Sequence, residues 1–118
     1  MKKFMAVFVG SITSANHDKW NALDEATRKQ REQAGMQAWG KWMQDHGNIL
    51  VEPGGPLGKT KRVSENGVAD IRNDLSGFTI IQAESHAAAA KLFENHPHFA
   101  IFPGDAVEIM EIMPIPGM

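Results

Sequence analysis

Histidine is the side chain best suited to moving protons near neutral pH. The chain has five histidines, no cysteine and no tyrosine. Two of them flank a proline in His96-Pro97-His98, and Asp105 follows directly after Gly104. A hydrogen-bonded carboxylate orients an imidazole and raises its basicity. His96 or His98 with Asp105 is therefore the preferred acid–base pair, should the protein be an enzyme. The blander reading makes His96 the cap at the end of a preceding helix and His98 a loop residue. His46 stands just before Gly47, where an imidazolium would complement the end of a helix. Its chemical alternative is proton transfer. The alternation of His96 and His98 could also bring both rings to one metal, with Glu84 or His86 as further donors. No third ligand is fixed by spacing, so no metal is expected.

Trp39, Trp42, Met43 and His46 recur at helical spacing. Aromatic and methionine walls suit a flat apolar ligand, and the same spacing equally suits a core or a dimer interface. The run from Gly54 to Thr60 imitates a phosphate loop. That motif needs a glycine where Pro53 stands, and 61–64 reads as extended rather than as a phosphate-holding helix. The run is better read as a glycine-rich rim, able to touch a ligand through Lys59 or backbone N–H groups. No serine triad or paired-carboxylate motif can be picked out, and no cofactor is implied.

The elements that must hold these residues follow from pattern. An apolar run at 4–9 has strand length and strand composition. From about Trp20 to His46 there is no proline and an abundance of helix formers, and Gly47 supplies a stop. Asn16, Asp18 and Asp24 are the candidate caps of this long helix. A second strand covers 48–52 and breaks at Pro53-Gly54-Gly55-Pro56. The chain is then turn-rich to Gly77, with a short extended piece at 60–64 and a hairpin-turn signal at Asn66-Gly67. A third main strand covers 78–83. Ser85 caps a short alanine-rich helix over 86–95 that Pro97 stops. The last strand covers 106–113. The order strand, helix, strand, strand, helix, strand predicts an α+β fold: a ferredoxin-like βαββαβ unit with helices on one face of an antiparallel sheet. The first and last strands offer apolar residues to both faces, so two sheets packed face to face would complete a dimeric α-β barrel.

Composition bounds the rest. The chain has 118 residues, 42% hydrophobic and 22% charged, which fits one globular domain over 1–118. A net charge of −2 leaves no basic excess for nucleic acid. Without cysteine there are no disulfides and no thiolate nucleophiles. The apolar run after Lys2-Lys3 is short for a signal core and far short of a membrane span, so the expected location is the cytoplasm, with no membrane partner.

Several stretches together resemble the YCII-related family, also described as DGPF-type proteins. They are the opening Lys2-Lys3-Phe4-Met5, Trp39-Gly40-Lys41-Trp42-Met43, the run from Gly47 to Leu57, the run from Gly77 to Ser85, His96-Pro97, and Val107 to Ile112. The resemblance implies a dimeric α-β barrel of ferredoxin-like protomers. Most members have no assigned activity, and some act on aromatic breakdown products as dehalogenases or isomerases. Those pair a histidine on the first helix with an acidic residue. The corresponding helical position here holds Trp39, and His96 stands where an acidic residue often precedes the late proline. With the helix histidine missing, the first expectation is a homodimeric small-molecule-binding or accessory module. The alternative is a histidine-based isomerase or lyase acting on an oxygenated cyclic or aromatic breakdown product.

Overall fold

Four strands carry the fold, and the computed structural model describes residues 1–117. Strand β1 is Lys2–Val9, β2 Leu50–Pro56, β5 Leu75–Ala83 and β6 Ala106–Glu111, in sheet order β2-β5-β1-β6. Every neighbouring pair is antiparallel. This is the ferredoxin-like α+β arrangement expected from the order of elements. A separate two-stranded hairpin, β3 Thr60–Ser64 with β4 Gly67–Ile71, projects from the region after β2. Its turn residues are Glu65-Asn66, one position earlier than the Asn66-Gly67 signal, and Gly67 opens β4 with a φ of 97°.

Register explains the core. Phe4 pairs with Ile81, Ala6 with Thr79 and Phe8 with Gly77. Side chains alternate along a strand, so these share one face. That face packs beneath the helices, and Phe4, Ala6, Phe8, Ile81, Ala83, Ala89 and Phe93 form one buried cluster. Trp39 and Trp42 lean on it from above without being fully buried. Burying each large apolar side chain contributes about 2 kcal/mol.

The helices depart from expectation in three places. The long helix is two: α1 Ala15–Asn21 and α2 Glu25–Asp45. Ser14, rather than Asn16 or Asp18, caps α1 by accepting from the His17 amide, and Asp24 occupies the N-cap of α2. The short helix α3 covers only His86–Lys91, with Ser85 accepting from the Ala88 amide as its cap. Pro97 does not merely end a helix; it starts a new one, α4 Pro97–Ala100. A proline at the first helical position loses no hydrogen bond, because that amide has no partner in a helix anyway. Strand β2 also runs through the four residues expected to break it: Gly55 pairs with Phe78 and Pro56 with Gly77. As an edge strand it can carry prolines. Gly54 has φ of 68°, and a Cβ there would overlap the Phe78 carbonyl, so this kink needs glycine.

Two glycines on α2 make opposite predictions. A Cβ on Gly35 would sit 2.5 Å from the Phe102 ring, whereas one on Gly40 meets nothing within 4 Å. Gly40→Ala will stabilise the protein by about 0.5–1 kcal/mol through helix propensity. Gly35→Ala gains the same propensity but pays for displacing Phe102, so it will destabilise by about 1 kcal/mol. Urea melts of the two variants measure both. Equal shifts for the two would refute the α2–Phe102 contact.

Candidate functional site

A cleft of about 700 Å³ opens between α2 and the β2–β5 side of the sheet. Its size suits a small organic molecule. Helix α2 contributes Met36, Trp39, Trp42 and Met43; the sheet contributes Phe8, Phe78 and Thr79; Phe102 comes from the loop after α4. The backbone from Pro53 to Pro56 and at Ser76 and Gly77 forms the opposite rim. Trp39 stands 4.8 Å from Phe8 and 6.2 Å from Phe102, centroid to centroid, so the aromatic wall is continuous.

His98 is the one titratable side chain among the cleft-lining residues. Helix α4 presents it, and three contacts hold it. Its Nε2 lies 2.8 Å from the Val9 carbonyl, which can only accept, so Nε2 carries the proton and donates. Its ring lies in edge contact with Phe8 at 5.2 Å. Its other flank packs on Gly104, where a Cβ would overlap the imidazole. Burial lowers the His98 pKa, and the carbonyls of Val9 and Ala106 and the Asp105 carboxylate pull it back only in part. The ring is therefore neutral at pH 7, with Nδ1 left as a base. Among the described residues Nδ1 has no hydrogen-bond partner.

His96 lies behind the aromatic wall. It is fully buried and ringed by Trp39 at 4.6 Å, Trp42 at 5.0 Å, Phe8 at 5.1 Å and Phe93 at 5.7 Å. It caps the start of α4, not the end of α3: its Nδ1 accepts from the His98 amide at 3.0 Å. Nε2 then carries the proton, and it is buried with no hydrogen-bond partner. Burial first, then the nearby His98 and His46, lower its pKa to about 4.

The structure thus brings Trp39, Trp42, Met43 and His98 together and leaves the other candidates outside the cleft lining. The direct dyad is not formed. Asp105 Oδ2 accepts from the Ser11 amide at 2.8 Å, and the Ser11 amide holds its carboxyl below the usual range, helped by Ser14, His98 and Asn16 against burial. Asp105 anchors the loop between β1 and α1 and influences His98 only through its charge. His46 takes the helix-end role: its Nδ1 donates to the Trp42 carbonyl at 2.7 Å, and its ring stacks on Trp42 at 4.4 Å. Lys59 is exposed in the link between β2 and β3 and does not line the cleft. Among the described residues no three His, Asp or Glu side chains converge as a metal site, and no helix is long and apolar enough to cross a membrane.

One solved structure shares this architecture across nearly its whole length. It is 5-chloro-2-hydroxyhydroquinone dehydrochlorinase (TftG) from Burkholderia phenoliruptrix AC1100, in complex with 2,5-dihydroxybenzoquinone. The two match with a TM-score of 0.54 over 94% of this chain and 93% of that one, at 14% sequence identity. The likeness is one of fold. No family model matches the chain, and no curated protein matches it in sequence.

Sequence reasoning missed Phe8, Phe78, Met36 and Phe102 as cleft walls. A signal existed for Phe8, since strand alternation sets it on one face with Phe4 and Ala6. None existed for Phe102, whose place depends on how the loop after α4 meets Gly35.

Proposed function

We propose that the protein is a homodimeric, cytoplasmic module of YCII-related type that binds a flat, oxygenated cyclic molecule in the cleft under α2. The observation that carries this reading is the lining itself: continuous aromatic and methionine walls around a single titratable group, His98. Among the described residues no Lys, Arg, Asp or Glu lines the cleft, so the ligand brings little net charge. A ring hydroxyl meeting the Nδ1 of His98 satisfies both the walls and the base. The two copies would pair through the sheet face opposite the helices, which carries Met5, Val7, Ile80 and Met110 by register.

A second reading is catalysis, and the free Nδ1 of a neutral, wall-mounted imidazole favours it. His98 would take the proton of a ring hydroxyl. Returning it at a ring carbon makes an isomerisation, and losing it together with a leaving anion makes an elimination. The fold shared with a hydroquinone dehydrochlorinase is in keeping with that class.

Anaerobic calorimetry with hydroxyquinol and with hydroquinone, both uncharged at pH 7, tests both readings. Saturable binding is expected, weakened about tenfold or more in Trp39→Ala through lost stacking area. No binding of any cyclic phenol or quinone would sink the proposal. If the enzyme reading holds, His98→Gln will bind ligand but lose about 10²–10⁴ in turnover. Turnover unchanged in that variant would remove His98 as the base.

A further inference from the structure

The chain exposes 8235 Å² of surface, whereas a folded monomer of 13.0 kDa exposes about 6,300 Å². The surplus of roughly 1,900 Å² per chain is what an obligate homodimer hides on each partner, about 1,000–2,500 Å². The molecule is a slab of 54 × 43 × 19 Å with a Cα radius of gyration of 16.2 Å, against about 13.5 Å for a compact domain of this length. The β3–β4 hairpin adds to the exposed surface. Nine of its ten strand residues are exposed, and its strands pack appreciably only on each other.

A two-stranded hairpin with nothing against it is marginally stable in water. This one carries an apolar pair as well. Val63 faces Val68 across the ladder, 77% and 67% exposed. Lys61 and Asp70 face each other two residues further along, at 2.6 Å, on the same side of the ribbon. Leu57, Ile71 and Leu75 at its root are also exposed. The arm leaves the sheet beside β5, whose Ile80 lies on the open apolar face with Met5 and Met110. Arm and open face each lack cover from the helices of their own chain.

We infer that the β3–β4 hairpin is a dimerisation arm that lays its Val63–Val68 side on a second copy of this chain, extending the sheet-face pairing. This inference rests on the pairing proposed above and adds the arm to it. The surface surplus argues for a second copy as the occupant, since it has the size an obligate homodimer hides on each partner. An antiparallel two-fold pair would place each arm on the other protomer, which gives both hairpins the packing they lack within their own chain.

Sedimentation equilibrium from 0.1 to 100 μM tests the inference with three proteins: wild type, Val63→Asp/Val68→Asp, and the milder Val63→Thr/Val68→Thr. The threonine pair keeps the strand preference of the ribbon. Wild type is expected at twice the chain mass. The aspartate pair should raise the dimer dissociation constant about 100-fold and the threonine pair about tenfold. Circular dichroism should show the sheet and helices retained, because the arm scarcely touches the rest of its own chain. Hydrogen exchange at the Arg62 and Ala69 amides should be slow in the wild-type dimer and fast in the aspartate variant. A wild type that stays monomeric at 100 μM overturns both the pairing and the arm. A wild-type dimer whose dissociation constant is the same in both variants overturns the arm alone and leaves the sheet-face pairing standing.

Discussion

Taking the protein from pH 7 to pH 4 will cost it about 3 kcal/mol of folding stability through His96 alone. The unfolded chain takes up this proton near the ordinary histidine value of 6.5, and the folded protein only near 4. Between those values the unfolded state binds more protons, so stability falls as pH falls. The contribution is fully present above about pH 6.5, declines through the window and levels off once both states are protonated. His98, lowered in the same direction, adds to the slope. The lowered Asp105 carboxyl acts below this window, because its stabilisation is lost only as pH drops through its depressed folded value. The cause at His96 is structural. Its ring sits among four aromatic side chains, and no carboxylate is hydrogen-bonded to compensate an imidazolium. His96→Phe removes the titration and the unpartnered Nε2–H while keeping an aromatic in the box. It also loses the cap on α4, worth about 1 kcal/mol. Urea unfolding of both proteins across pH 4–7 should therefore give curves that converge or cross, with wild type the steeper. Parallel curves would show that His96 is not the buried neutral ring described above.

Gly104→Ala will destabilise the protein by about 3 kcal/mol and disable the cleft in the same step. A Cβ at this position would overlap both the His98 imidazole and the His98 carbonyl. The ring can move only by giving up its hydrogen bond to Val9. The carbonyl is backbone, fixed by accepting from the Gly104 amide at 2.9 Å. The Gly104 carbonyl also accepts from the Asn16 side chain, so displacement here loosens the β1–α1 loop. Thermal unfolding and calorimetry with hydroxyquinol should both report the change. A variant of wild-type stability would mean that His98 is not seated on Gly104.

Each of these effects concerns a residue visible in the sequence, yet its size depends on neighbours that the sequence does not name. The strands were legible because their apolar runs match the period and length of buried strands. The order of elements was legible because βαββαβ leaves few ways to cover an antiparallel sheet. The β3–β4 hairpin was legible because the Asn66-Gly67 pair tolerates positive φ, although the turn falls on Glu65-Asn66 and only Gly67 uses that freedom. The break at Ala22–Asp24 was not, since helix formers continue across it; there Asp24 takes the N-cap of α2 and Arg28 donates to the Asn21 and Leu23 carbonyls. In the sequence Pro97 marks an ending, because a proline cannot extend a helix. The same chemistry makes it a good beginning, and only the His96 cap decides between the two.

The site divides in the same way. Helical spacing alone grouped Trp39, Trp42 and Met43, because one face of a helix is a local property. The choice of His98 over His46 and His96 as the group in the cleft is tertiary. It depends on α4 folding back over β1, so that one imidazole reaches Val9 while its neighbour two residues away is sealed behind tryptophans. Asp105 is near in sequence and carries the right chemistry, but its carboxylate turns to the Ser11 amide. Sequence thus determined which residue types could do the chemistry and which elements would carry them. Which side chain meets the cavity was settled by long-range packing, because direction and burial depend on contacts between residues far apart in the chain.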